Sequence, residues 1–173
     1  MDLVFKNSLA FVLQWEGGYV SDPDDRGGET NKGVTKAVYD AYRRGKGLKL
    51  QSVKNITDVE VEDIYRANYY LAAGCDRLPS PLSLVVFDTA VNFGVSWTVK
   101  RLQQLLGVRE DGILGILTMR AIVATDTMLL ARALVEIRKG FRFERVARDS
   151  SQAKFLEGWL NRDEALSAFL NKR

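Results

Sequence analysis

The chain contains no histidine, and among its 173 residues it has a single cysteine, Cys75, and three prolines. The first absence excludes most hydrolytic chemistry. Ser-His-Asp and Cys-His hydrolysis need an imidazole base, and catalytic zinc hydrolases take at least one histidine ligand, so none of these can be built here. One cysteine leaves no intrachain disulfide, and without an imidazole to activate it Cys75 is expected to be a small buried or idle thiol. No uncharged apolar run approaches the roughly 20 residues that span a bilayer. The opening "MDLVFKNSLAFVLQWEGG" lacks the basic start and unbroken apolar core of a secretory signal. The expectation is synthesis in the cytoplasm without a transmembrane segment, with later export by another route. Carboxylate chemistry is what these absences leave.

What is present fits one or two small domains: 46% hydrophobic and 27% charged residues, with a net charge of +3. A pI near 9.0 gives a mild preference for anionic partners such as cell-wall polymer, membrane surface or nucleic acid. Apolar residues recur at helical spacing at Phe5, Leu9, Val12 and Leu13, around Ile64 and Leu71, from Leu84 to Val91, from Val99 to Leu106, and from Leu130 to Phe141. Helices are expected over roughly 116–124, 127–148 and 152–169. Residues 17–34 interrupt the pattern with Pro23 and five glycines, and the "YVS" and "KGVT" pieces there are candidates for a small hairpin. The expected fold is mainly α. No proline- or serine-rich linker appears, and a functional division is placed near residue 87, into lobes 1–86 and 87–173 packed as one body.

The glycine-rich loop fails two common templates. "GETNKGVT" has both P-loop glycines in register, but Val34 stands where the phosphate-reaching lysine belongs. Asp22, Asp24 and Gly27 match the start of an EF-hand, but Arg26 takes its fifth position and Gly33 the place of the bidentate glutamate. Glu16, by contrast, continues the spacing of Phe5, Leu9, Val12 and Leu13 toward the buried face. Partial burial and the negative end of the helix dipole both disfavour its ionised form, which suits a general acid. Nine residues on, Asp25 lies beside Arg26 and near Lys32, which favour its ionised form, although Asp22 and Asp24 oppose this. A neutral and a charged carboxyl are the pair that glycoside cleavage uses. Each also has a plain reading: Glu16 as a surface residue ending a helix, Asp25 as a turn former.

"WEGGYVSDPDDRGGETNKGVT", residues 15–35, resembles the signature of the family 108 glycoside hydrolases, lysozyme-like N-acetylmuramidases found among phage endolysins and bacterial secretion-associated muramidases. The resemblance makes Glu16 the catalytic acid. The order of Glu, Asp and Thr also resembles phage-type lysozymes, which implies Asp25 and Thr30 as partners. Thr30 is one residue nearer than in that family, and Thr35 is its rival. Arg26 stands where family 108 members usually show proline. "FDTAVNFGVSWTVKRLQQLLGVREDGILGILT", residues 87–118, is similar to the peptidoglycan-binding region that commonly follows, with Ile116 in place of the usual proline. "GWLNR" at 158–162 resembles the C-terminal pattern. Together they imply a lysozyme-like helical fold with a small β hairpin beside the cleft, cleavage of the β-1,4 bond between N-acetylmuramic acid and N-acetylglucosamine, and no metal or organic cofactor. Peptidoglycan is the implied partner, reached through a holin-like pore or a dedicated export system.

The remaining candidates come from side-chain chemistry. Tyr19 of the EGGY stretch, with Tyr65, Tyr69 and Tyr70, offers hydroxyls to a cleft; as a helical stripe the last three also suit a core. Asn92, Gly94 and Trp97 offer amide bonds and an aromatic platform for sugar, although the core is the more usual place for a residue such as Trp97. Arg138, Arg142 and Arg145 are expected on one face opposite Leu130, Leu134, Ile137 and Phe141, either solvated or anchoring an anionic polymer or membrane. A non-hydrolytic wall-binding or secretion-accessory protein is the alternative function. Nucleic-acid binding is not expected, because no concentrated basic, aromatic-studded segment occurs.

Overall fold

The computed structural model describes residues 3–21 and 28–172, and among these it forms eight α-helices and one two-stranded antiparallel sheet. The expected mainly α class is therefore observed. Backbone contacts divide the chain into two units, Met1–Asn68 and Tyr69–Arg173. None of the described helices is long and apolar enough to cross a membrane.

The first unit contains α1 (Leu3–Leu13), β1 (Thr30–Asn31), β2 (Val34–Thr35), α2 (Lys36–Gly45) and α3 (Asp58–Tyr65). Phe5, Leu9 and Val12 bury the inner stripe of α1, as their spacing predicts. The hairpin differs from the expectation: β1 pairs with β2 across Lys32 and Gly33, while Val20 of the "YVS" piece forms only an isolated bridge to Thr30. Helix α2 is not announced by apolar spacing, because it buries Tyr39 alone. It is fixed at both ends instead. Thr35 caps its start, accepting from the Val38 N–H at 3.4 Å, and Arg43 near its end reaches the Glu60 carboxylate at 2.5 Å.

Glu60 ties α2 to α3. It closes a capping box with Thr57, whose N–H donates to Oε2 at 3.0 Å, and the same oxygen accepts from the Tyr39 hydroxyl at 2.8 Å. Burial alone raises the Glu60 carboxyl, but the Thr57 and Tyr39 hydrogen bonds and the Arg43 charge outweigh it and hold the group below its ordinary value.

The second unit is built on α4 (Leu82–Phe93), buried continuously from Leu82 to Ala90. A helix apolar on nearly every side belongs in the middle of its fold, and α5 (Val95–Leu105) and α7 (Thr127–Arg148) both pack on it. Gly94, at φ 86°, separates α4 from α5. The connection to α6 (Ile116–Val123) is pinned by buried Gln103, whose Nε2 donates to Asp111 at 2.7 Å and to the Ile113 carbonyl at 3.0 Å, while Oε1 accepts from the Gly112 N–H at 2.8 Å. Helix α7 starts at an Asp126 cap that accepts from the Met128 and Leu129 N–H groups. It spans the limits that the spacing predicts, and α8 (Ala153–Asn171) follows.

One expectation for α7 is overturned. Arg138 and Arg142 are not on a solvated face; they continue the buried stripe of Leu130, Ala131, Leu134 and Val135. Steps of four residues from Leu134 keep them on its side of the helix, and acidic partners make the burial tolerable. Arg138 pairs with Asp88 and with Asp163, each at 2.7 Å, and none of the three side chains is exposed. Arg142 holds Asp163 through Nε at 2.6 Å and Nη2 at 3.0 Å. Arg162 holds the other oxygen of Asp88 at 2.7 Å. Tyr70 is likewise core: it packs edge-on to Phe87 at 5.4 Å and accepts from the Ser83 hydroxyl at 3.3 Å.

Two outcomes follow for stability. Asp163→Asn strips Arg138 and Arg142 of their shared anion and is expected to cost about 3–5 kcal/mol in denaturant unfolding; a cost below 1 kcal/mol would show the pairs to be dispensable. For Glu60, a depressed folded value means that its contribution is complete above the unfolded value of about 4.3 and is lost as pH falls through the folded one. Stability measured from pH 6 down to pH 2 should therefore decline less steeply in Glu60→Gln than in the wild type.

Candidate active site

Helix α1 ends at Leu13, three residues before Glu16. The chain continues in tighter turns, with Trp15 N–H donating to the Val12 carbonyl at 3.0 Å and Glu16 N–H to that of Leu13 at 3.4 Å. Gly17 and Gly18 follow, where helix continuation is least favoured. Glu16 is thus half-buried just beyond the helix, a correction to its expected place in the last α turn. From there the backbone runs along the hairpin. Gly17 O accepts from Lys32 N–H at 3.1 Å, and Val20 exchanges both backbone bonds with Thr30 at 2.8 and 2.9 Å.

The hairpin turn meets Glu16 closely. Lys32 and Gly33 have φ of 49° and 73°, the paired positive values of a two-residue turn that suits strand twist. A Cβ at Gly33 would lie 2.7 Å from Glu16 Oε2, 3.1 Å from its carboxyl carbon, and in collision with the Tyr65 hydroxyl oxygen. The Tyr65 hydroxyl, on α3, donates to the Lys32 carbonyl at 3.0 Å. Carboxyl, phenol and turn backbone therefore share one small space, and only glycine leaves room for all three.

Further bonds hold the hairpin still. Asn31 Nδ2 donates to the Val53 and Lys54 carbonyls at 3.2 and 3.3 Å. Glu29 accepts from the Ser52 hydroxyl at 2.5 Å and the Val53 N–H at 3.2 Å, and Lys32 pairs with Asp58. The wall against which Glu16 rests is consequently a fixed surface.

Of the predicted site residues, Glu16, Thr30, Thr35 and Tyr65 gather at this hairpin. Thr30 and Thr35 are cross-strand partners. The Thr35 hydroxyl is engaged as the α2 cap, whereas Thr30 has both backbone groups committed to Val20 and is half-buried. Tyr65 is buried to 1% exposure, so it stands behind the acid rather than on an open surface. Tyr19, 39% exposed, lies with its ring 5.5 Å from the Lys54 ammonium. Asp25 lies outside the described residues.

The other candidates belong to the second unit. Tyr69 is half-buried in the π-helical turn Arg66–Leu71. Asn92 is exposed, its Nδ2 donating to the Asp88 carbonyl at 2.9 Å. Trp97 stacks on Phe93 at 4.6 Å and meets Phe141 edge-on at 5.4 Å, a packed aromatic cluster. Gly33 is the site residue that spacing alone does not single out. Its signal is the two-residue "KG" loop between strand-forming "TN" and "VT".

Gly33→Ala is expected to lose about 1–2 kcal/mol from the left-handed backbone alone. It should also displace Glu16, read as a moved carboxyl in a crystal structure of the variant. An unshifted Glu16 would show that the turn does not set its position.

The chain has relatives. The model of the family described as glycosyl hydrolase 108 matches residues 9–94, and one described as a predicted peptidoglycan domain matches residues 97–164. The solved structure of Brucella abortus SagA is similar with a TM-score of 0.80 and 30% sequence identity, over 97% of this chain and 94% of that one. No match was found among curated proteins. These likenesses support a peptidoglycan-related function. With nearly the whole of both chains aligned and Glu16 set in the matched segment, the chain belongs to the glycosyl hydrolase 108 family.

Proposed function

We propose that the chain is an N-acetylmuramidase that cleaves the β-1,4 bond between N-acetylmuramic acid and N-acetylglucosamine in peptidoglycan. The observation that carries this reading is Glu16, half-buried and held against the Gly33 turn and the Tyr65 hydroxyl. A general acid must be fixed within reach of the leaving oxygen, and a carboxyl wedged beside rigid backbone meets that need. Glu16 protonates the glycosidic oxygen. Asp25 in its ionised form stabilises the oxocarbenium-like transition state or orients the attacking water, and Thr30 helps to place that water. Thr30 is preferred to Thr35 because the Thr35 hydroxyl already caps α2. Tyr65 is a positioning residue: its bond to the Lys32 carbonyl sets the turn against which Glu16 rests.

In this reading residues 1–86 carry the cleavage and residues 87–173 the hold on the polymer. The matched peptidoglycan domain at 97–164 supports that division of labour. The place of action is the cell wall, reached through a lysis pore or a dedicated export system.

The test is digestion of purified peptidoglycan by wild type and Glu16→Gln, with borohydride-labelled reducing ends read by mass spectrometry. Wild type should release muropeptides ending in reduced N-acetylmuramic acid. The variant should fall by about 10²- to 10⁴-fold, the usual worth of a positioned general acid. Full activity in a normally folded Glu16→Gln protein would remove the central claim. No release by either protein, with tight pelleting on the polymer, would point instead to a non-hydrolytic wall-binding protein.

A further inference from the structure

Between α2 and α3 of the first unit the chain is one-sided in charge. Residues 41–57 hold five cations, Arg43, Arg44, Lys46, Lys49 and Lys54, and no aspartate or glutamate. The whole chain carries only +3, so positive charge is concentrated in this segment. All seven residues from 44 to 50 are exposed, and two of them are leucines, Leu48 at 44% and Leu50 at 47%.

The backbone of this loop is fixed. Gly47, at φ 68°, donates its N–H to the Arg44 carbonyl at 3.1 Å, and Leu48 N–H donates to that of Arg43 at 2.8 Å, the two bonds of a Schellman ending to α2. Arg43 Nε then donates to the Lys49 carbonyl at 2.5 Å, and Gln51 Nε2 to the Tyr39 hydroxyl at 2.6 Å. Such an ending frequently packs the residue after its glycine back on the helix. Leu48 has that place and stays open to water, so the ordered loop presents its leucines instead of burying them.

The acidic neighbours are already engaged. Glu60 pairs with Arg43, and Asp63 pairs with Lys46 and accepts from the Tyr42 hydroxyl. Among the described residues no ion pair or hydrogen bond engages the Arg44 or Lys49 side chain. Cations on long apolar stems beside exposed leucines match a surface that is anionic outside and apolar beneath. A hydrated polysaccharide offers charge but no apolar phase for leucine, and residues 43–51 carry no aromatic ring to stack on sugar.

We propose that residues 43–50 are a docking surface for an anionic phospholipid bilayer. Leu48 and Leu50 enter the acyl boundary, while Arg44, Lys46 and Lys49 meet the lipid phosphates. The docking requires no cleavage of peptidoglycan and is tested apart from it.

Full-length protein is sedimented at low salt with vesicles of equal parts phosphatidylglycerol and phosphatidylcholine, and with vesicles of phosphatidylcholine alone. Wild type should bind the anionic vesicles and leave the neutral ones unbound. Arg44→Gln combined with Lys49→Gln should weaken that binding about 25-fold, each cation at an anionic surface being worth about fivefold. Leu48→Ser combined with Leu50→Ser should weaken it by about tenfold or more. Both double variants change exposed side chains and are checked for an unchanged melting temperature. A nitrobenzoxadiazole label on Leu48→Cys, with Cys75 buried and unlabelled, should shift its emission to the blue on anionic vesicles at saturating lipid. Equal binding to neutral vesicles, no binding to anionic ones, undiminished binding by either double variant, or an unshifted label would each overturn the assignment. On purified, lipid-free peptidoglycan both double variants should pellet as wild type does. Reduced pelleting there would give the loop to the wall polymer and overturn its assignment to a membrane.

Discussion

Arg138 lies wholly out of water between two carboxylates, Asp88 on α4 and Asp163 on α8. Its own helix, α7, carries it there by continuing the stripe that begins at Leu130 and Leu134. A guanidinium in that position demands acidic partners at fixed distance, because an uncompensated buried charge costs several kcal/mol. The demand fixes how α4, α7 and α8 meet. It also explains their companions: Arg142 shares Asp163, Arg162 shares Asp88, and Thr89 adds an oxygen 3.1 Å from Arg138 Nη1. The motifs "FDTAVNF" and "GWLNRD" supply Asp88, Arg162 and Asp163, so one electrostatic core accounts for residues that lie far apart in the chain.

In the first unit the constraint is space rather than charge. Glu16, Tyr65 and the Lys32–Gly33 turn compete for one small volume, and a hydrogen atom at Gly33 is what lets them share it. The position of Tyr65 depends in turn on α3, which Glu60 fastens to α2 through Tyr39 and Arg43. Among the described residues the Glu60 network touches no candidate catalytic group. It acts on the site through Tyr65 and the turn, by deciding where the wall behind Glu16 stands.

The sequence shows some of this directly and hides the rest for identifiable reasons. Helix α7 is legible because its cap at Asp126 and its apolar spacing act within a few residues. Glu16 stands out because it prolongs the Phe5–Leu9–Val12 stripe, yet its helix stops at Leu13, since the following glycines favour tighter turns over another α turn. The burial of Arg138 and Arg142 cannot be seen locally. It depends on Asp88, 50 residues before Arg138, and on Asp163, 21 residues after Arg142. The need for glycine at 33 is likewise set from a distance, by a phenol 32 positions along the chain. Helix α2 escapes notice because capping and an ion pair, rather than an apolar stripe, hold it in place.

A well-packed apolar cluster of the same volume would hold α4, α7 and α8 together as firmly as three arginines and two aspartates do. Stability therefore does not explain why the core is charged. Arg142 is anchored by Asp163 on one side and lies against the Trp159 ring on the other. A guanidinium on an exposed stem would lose much of its reach to rotamer freedom. Fixed by a buried carboxylate and flanked by Phe93 and Trp159, it is held in one orientation. The charged core of the second unit is thus a mount for a cation, as the crowded turn of the first is a mount for an acid.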